Sequence, residues 1–251
     1  MYLGITYIGK NKTKEKILET YESIVAWHYQ SYRPPIHKKL IEESLPAMYF
    51  KKGLDVGCGT GYATLALVPY CDQIWGFDSS QAMLQHAKPH PKITYVSKLK
   101  GQDNFDLLCF FGSLNYVNTK QRTALLNRLS YNATILCCDF TLDLTPLAPV
   151  LGVRLPDIVY DPSTNLSHCN EAVLDEEGHK QEYFSICCSP METAHLFLSD
   201  SNYLKTFQKH YMNPDPMTSL TEALGDIEKK EKGIALMGAT YWTRYVFKGF
   251  V

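Results

Sequence analysis

The feature that most constrains this chain is a glycine turn at the end of a short apolar strand. Leu54-Asp55-Val56 reads as the strand, Gly57-Cys58-Gly59-Thr60-Gly61 as the turn, and Tyr62–Val68 as the helix that follows. Glycines in such a turn permit positive φ and let a ligand approach the backbone closely. The N–H groups of the turn and helix start are then expected to face an anionic or polar ligand group. The same rhythm continues downstream. Gln73–Phe77 reads as a strand, Ser79 or Ser80 caps a helix running to about Lys88, and Ile93–Val96 and Phe105–Phe111 are further strands. Thr119–Leu129 reads as a helix and Ala133–Phe140 as an apolar strand. Strands alternating with helices imply right-handed βαβ units and a mostly parallel sheet covered on both faces.

Either side of this core the pattern changes. Residues 14–31 read as a helix with Ile17, Leu18, Tyr21, Ile24, Val25 and His28 on one side. Pro34-Pro35 resets the chain before a second helix near Ile36–Leu45. After Thr141 the signal weakens, and residues 141–182, rich in Pro, Asp and Asn, read as a long excursion from the sheet. A helical pattern returns at Glu192–Phe197. Thr206–Met212 and Tyr241–Phe250 read as late strands around a charged helix near Thr218–Lys232. The order fits an α/β fold, Rossmann-like, with a cover segment inserted after strand five.

Composition bounds the function. The chain has 251 residues, 45% of them hydrophobic, enough for one sizeable α/β core. With 25 basic and 26 acidic side chains the net charge is −1, which gives no long-range steering toward nucleic acid. No run of about 18 apolar residues suggests a membrane span, and Met1–Lys10 is too short and polar for a signal peptide. The eight cysteines form no Cys-x-x-Cys pair, and most lie in apolar runs. They read as reduced, buried thiols in a cytoplasmic protein, with no metal site.

Two ligand classes use a turn of this kind. Dinucleotide enzymes want Gly-x-Gly-x-x-Gly, which seats a pyrophosphate on the helix N-terminus. Here the spacing is Gly57-x-Gly59-x-Gly61, and Asp55 stands two positions before the first glycine. An acid there repels a pyrophosphate but suits an ammonium group, and S-adenosylmethionine carries an amino group, a carboxylate and a sulfonium. A second acid, Asp78, ends the next strand 17 residues after Gly61 and can accept hydrogen bonds from both ribose hydroxyls. That role alone does not separate S-adenosylmethionine from NAD.

The run from Gly53 through Asp78-Ser79-Ser80-Gln81-Ala82-Met83-Leu84 resembles the first two motifs of class I S-adenosylmethionine-dependent methyltransferases, in their small-molecule branch. The segment Tyr29-Gln-Ser-Tyr32-Arg33-Pro34-Pro35 resembles the Tyr-Arg-Pro lead-in of a subset of these enzymes. The resemblance implies a seven-stranded sheet of order 3-2-1-4-5-7-6 with strand seven antiparallel. It implies one domain over 1–251: an N-terminal helical cover (1–50), a cofactor-binding core (51–140), an insert (141–205) and C-terminal strands (206–251). It implies that Asp55, Gly57, Cys58, Gly59 and Gly61 line the methionine end of the cofactor. Asp78 holds the ribose, with Ser79 and Met83 beside the adenosine, and Phe111-Gly112 falls in the fourth motif. The family's acid after strand three is missing here, where Val96-Ser97-Lys98-Leu99 stands. Ser97 and Leu99 are then expected to meet the adenine through backbone and apolar contacts.

Methyl transfer from a sulfonium is an in-line displacement, so the protein mainly positions and desolvates the reactants. Candidates for the acceptor wall are His28, Tyr29, Tyr32, Arg33, Asn115 and Tyr116, of which Tyr29, Arg33, Asn115 and Tyr116 carry the catalytic assignment. Arg33 is suited to clamping a carboxylate, either the cofactor's or a substrate's. His28 lies on an apolar helix side, where packing and a general-base role both stand open; His168 and His195 are further candidates. The fourth motif reads Gly-Ser-Leu-Asn-Tyr rather than Asn/Asp-Pro-Pro-Tyr/Phe, and no Pro-Cys dipeptide exists, which disfavours methylation of nucleic-acid bases. The expected partner is a small-molecule acceptor, with carboxylates such as trans-aconitate suggested by the lead-in, and a monomer or homodimer as the working form. The competing readings are a non-catalytic S-adenosylmethionine-binding module and an NAD-dependent oxidoreductase.

Overall fold

The computed structural model describes residues 23–101, 104–156, 162, 164–166, 169, 172–231 and 233–251. The first part of the expected 14–31 helix, with Ile17, Leu18 and Tyr21, lies outside them, as does His168. Helix α1 covers 23–31 and α2 Ile36–Ser44, followed by β1 (Phe50–Val56), α3 (Tyr62–Ala66), β2 (Cys71–Phe77), α4 (Gln81–Gln85), β3 (Ile93–Val96), β4 (Phe105–Phe111), α5 (Thr119–Leu126) and β5 (Leu129–Asp143). Then come β6 (Ala172–Cys188), α6 (Pro190–Leu198), α7 (Ser201–Tyr211), α8 (Met217–Glu231) and β7 (Ile234–Phe250).

The strands form one seven-stranded sheet of order β3-β2-β1-β4-β5-β7-β6. The pairs β2–β3, β1–β2, β1–β4 and β4–β5 are parallel, while β7 runs antiparallel to both β5 and β6. This is the order and the single reversed strand that the resemblance implied. The inner strands read as apolar runs because both of their faces are buried. On one face, Leu54, Val56, Leu108, Phe110, Ile135 and Cys137 pack with Leu125 and Leu126 of α5. On the other, Ile74, Leu107, Cys109, Leu136 and Cys138 pack with Ile36, Leu40 and Ile41 of α2. Seven of the eight cysteines are buried and Cys187 is exposed; none is in a disulfide.

A third apolar cluster lies over the β5–β7 end of the sheet. There, Leu144, Leu147, Leu151 and Leu155, from the segment after β5, meet Phe197, Leu204, Phe207, Leu220 and Leu224 of α6–α8. Ile24 and Val25 of α1 pack against it. The cover is therefore assembled from α1, the segment after β5 and the helices between β6 and β7.

Two elements differ from the sequence reading. Thr206–Met212 is not a strand; it belongs to α7, whose N-cap Asp200 accepts hydrogen bonds from the N–H groups of Asn202 and Tyr203. The buried Leu204 and Phe207, with half-buried Tyr203 and Tyr211, follow helical spacing, which a seven-residue window does not separate from alternation. The edge strand next to β7 is instead β6, which begins inside the 141–182 stretch read as an excursion and runs on to Cys188. Its Asp, Glu, His and Lys side chains resemble a loop in composition because β6 is an edge strand with most of its surface in solvent. Among the described residues no helix is long and apolar enough to cross a membrane.

If α7 is the helix that closes this cluster, Phe207→Ala should cost about 3–5 kcal/mol, because the ring is fully buried. Exposed Lys205→Ala should stay within about 0.5 kcal/mol. Chemical denaturation of the two variants checks this.

Candidate functional site

The glycine turn sits at the C-terminal end of β1, where the sheet order reverses between β1 and β4. Open α/β sheets form their ligand crevices at such a point. Gly57, Gly59 and Gly61 all have positive φ, at 69°, 55° and 88°. Their missing side chains do different work. A Cβ at Gly61 would collide with the Tyr95 hydroxyl beneath the turn, and one at Gly57 would lie 2.5 Å from Ser113 Cβ. At Gly59 the nearest atom is 3.7 Å away, on the Tyr29 ring across the crevice, so the turn is open to the crevice there.

Four of the turn's N–H groups are spent within the protein. Gly57 and Cys58 donate to the Phe77 carbonyl (2.7 and 3.1 Å), and Gly61 donates to Cys58 (2.9 Å). Gly59 donates to one carboxylate oxygen of Asp78, and Ser80 donates to the other, both at 2.8 Å. Asp78 thus ties the turn to the end of β2. Asp55 lies below the turn, fully buried, and accepts from the Thr64 hydroxyl at 2.6 Å. Its other oxygen has no hydrogen-bond partner. Burial pushes the Asp55 carboxyl up to about 7; the Thr64 hydrogen bond opposes the shift and the Asp78 charge adds to it.

Above the turn lies a crevice of about 490 Å³, lined among others by Tyr29, Gly57, Gly59, Asp78, Ser79, Ser80, Met83, Phe111, Gly112, Ser113 and Tyr116. It adjoins a chamber of about 330 Å³ that shares Tyr29, Phe111, Gly112, Tyr116 and Ser199 and adds Arg33, His37, Asp139 and Asp200. Arg33 lies 3.5 Å over the Tyr29 ring and donates to the Ser199 hydroxyl at 2.8 Å. Tyr62 donates to the Gln30 carbonyl at 2.7 Å, which fixes α1 over the turn. His37 is buried, stacks on Phe111 with ring centroids 4.4 Å apart, and is held neutral: burial, then the Arg33 charge, lowers it to about 3.

Of the residues assigned from sequence, the structure gathers Tyr29, Gly57, Gly59, Asp78, Ser79, Met83, Phe111, Gly112 and Tyr116 around the crevice, and Arg33 in the adjoining chamber. Asp55, Cys58 and Gly61 shape the turn from beneath instead of lining the crevice. Ser97 and Leu99 are outside the lining, and Leu99 packs toward the core under α5. Asn115 is an exposed neighbour of Tyr116 and also lies outside it. His28, on α1, is wholly buried, with Nδ1 3.0 Å from Nδ1 of His195 and Nε2 3.4 Å from the Asp215 carboxylate. Neither histidine reaches the crevice, and Tyr32 turns its hydroxyl to Cys188 at 3.4 Å. Sequence reasoning missed Ser80, Ser113, Ser199, Asp139 and Asp200. Asp139 had a signal, as the acid at the end of the apolar Ala133–Phe140 run.

The buried acid and histidines give opposite pH trends. The folded value of Asp55, about 7, lies above its ordinary 3.8. Its contribution is complete below pH 3.8 and is lost as pH rises toward 7. For His28, burial and the His195 charge outweigh the opposing Asp215 charge and lower it from 6.5 to about 4. That contribution is present above pH 6.5 and lost as pH falls toward 4. Asp55→Asn should therefore flatten the decline in unfolding free energy between about pH 4 and 7. Urea denaturation across that range reads the slope, and an unchanged slope rejects the assignment.

Residues 54–132 match a protein family described as a methyltransferase domain. Over 66 residues the chain is 41% identical to the yeast protein named "Probable S-adenosylmethionine-dependent methyltransferase CRG1". That match covers 24% of this chain and 22% of the yeast protein. A candidate type II methyltransferase from Anaeromyxobacter dehalogenans superposes with a TM-score of 0.57 at 16% identity, over 86% of this chain and 98% of that one. The YcgJ protein of Bacillus subtilis superposes with a TM-score of 0.50 at 14% identity, over 84% and 97% of the two chains. The glycine turn lies within the matched span, so residues 54–132 are similar to a methyltransferase domain, set in a fold that this chain shares with these structures.

Proposed function

We propose that this chain transfers the methyl group of S-adenosylmethionine to a small-molecule acceptor held in the chamber beside the crevice. The observation that carries the reading is the pair of connected spaces: one over Gly57, Gly59 and Asp78, the other opening from it past Tyr29, Gly112 and Tyr116. The first is of a size common for small-ligand sites. Asp78 already orders the turn, yet each of its oxygens keeps a lone pair for a ribose hydroxyl. Ser79, Ser80 and Met83 stand where the adenosine would continue along α4, and Gly59 leaves room for the methionine end.

When bound, the cofactor supplies an electrophilic methyl group on a sulfonium. The chain's own task is positional. Tyr29 and Tyr116 border both spaces and would confine the acceptor at their junction. Arg33 brings a guanidinium to the wall of the chamber. Its stacking on Tyr29 and its bond to Ser199 also join α1 to the end of α6 over the chamber.

Asp78→Ala, which strips both acceptors from the turn, should weaken S-adenosylhomocysteine binding by roughly 100-fold or more, about 2.7 kcal/mol. Gly59→Val should do the same by filling the crevice. Isothermal calorimetry reads both, with circular dichroism as the folding control; wild-type affinity in the two variants rejects the site. Arg33→Ala should raise the KM for acceptor or the Kd for cofactor roughly tenfold, a loss of about 1.4 kcal/mol; unchanged values for both remove it from the site.

A further inference from the structure

We infer that the acceptor is an amine with an apolar or aromatic body, and that the Asp139 carboxylate receives its ammonium end; this rests on the methyl-transfer reading above. Asp139 ends the buried part of β5 and is only 3% exposed, yet it lines the acceptor chamber. Its Oδ1 accepts the Phe140 N–H at 2.8 Å, which orients the carboxylate. Gly112 lines both the crevice and the chamber, and a Cβ built there would come within 3.3 Å of Asp139 Oδ1. The missing side chain at Gly112 therefore leaves this carboxylate beside the passage between donor and acceptor spaces.

The surrounding charge favours a cation. The chamber continues into a trough of about 520 Å³ that shares Phe140, Leu142, Leu144 and Asp200 and adds Asp143, Tyr183, Tyr203 and Tyr241. Across the two, Arg33 stands against Asp139, Asp143 and Asp200. His37 adds no positive charge, because burial holds it neutral. The Arg33 guanidinium already has an aromatic face beneath it and a hydroxyl acceptor. The fields of Asp200 and Asp139 both reach Tyr116, whose hydroxyl is raised first by burial and then by these two acids. A carboxylate acceptor would meet one cation among three acids. An ammonium would meet a buried carboxylate, and its body would lie along Phe140, Tyr203 and Tyr241, surfaces that bind apolar groups and cations alike.

Asp139 also has chemistry to supply. An ammonium has no lone pair, so it must shed a proton before its nitrogen can attack, and Asp139 takes that proton. One N–C bond then forms as one S–C bond breaks, with the electron pair remaining on sulfur. The methylated ammonium leaves, and Asp139 returns its proton to solvent.

The test uses the full chain saturated with S-adenosylhomocysteine and a pair of probes matched in shape, phenethylamine and hydrocinnamate, titrated by calorimetry. Phenethylamine should bind at least tenfold more tightly than hydrocinnamate. Asp139→Asn, which keeps the shape and the acceptor for Phe140 N–H, should erase that preference and leave S-adenosylhomocysteine affinity unchanged. Hydrocinnamate binding as well as the amine, no phenethylamine binding at millimolar concentration, or an undiminished preference in Asp139→Asn overturns the inference. The wild-type comparison stands even if the variant folds poorly. Failure of the wild-type chain to bind S-adenosylhomocysteine would strike the cofactor site itself, a separate result read in the first titration.

Discussion

The site depends on one carboxylate between two backbone N–H groups. Asp78, at the end of β2, holds Gly59 of the glycine turn and Ser80 at the start of α4. Charge-assisted bonds of this kind are stronger than neutral ones. They fix a backbone that three left-handed glycines would otherwise leave free to adopt many shapes. The Phe77 carbonyl completes the lock by accepting from Gly57 and Cys58. The floor of the crevice is thus set by main-chain geometry before any ligand arrives, which lowers the ordering cost of binding.

The roof is built separately. Tyr29 and Arg33 reach the crevice and the chamber from α1 and the residues just after it, while Ser199 and Asp200 come from the junction of α6 and α7. These pieces are far apart in sequence and are joined by the third apolar cluster and by the contact of His28 with His195. Two imidazoles at 3.0 Å cannot both be protonated without repulsion, so this junction holds best with neutral rings, in keeping with the lowered values of both. Core and cover meet over the chamber, where one side brings Asp139 and Gly112 and the other brings Arg33 and Ser199.

Much of this was legible in the residue order. The inner strands announced themselves as apolar runs because both faces are buried, and the glycine turn with Asp78 marked the crevice because few other residues tolerate that backbone. The failures share a physical cause. The edge strand β6 carries solvent-facing charges and so resembles a loop, and seven residues of α7 look alternating when the helix around them is unseen. Ser97 and Leu99 were placed by analogy at a missing acid; neither lines the crevice, and Leu99 packs against the core.

The sequence by itself determined the α/β core, the turn and the acid that ends β2, because these follow from local backbone permission and from the period of burial; the order of the strands came only from the resemblance to a known family. Only the tertiary structure decided that Asp55 lies beneath the turn rather than in the crevice, that His28 faces His195 rather than a substrate, and that Asp139 shares a chamber with Arg33. Those facts depend on contacts between residues more than a hundred positions apart, or on which side of a strand end faces an open space. Neither is written in the local pattern of side chains.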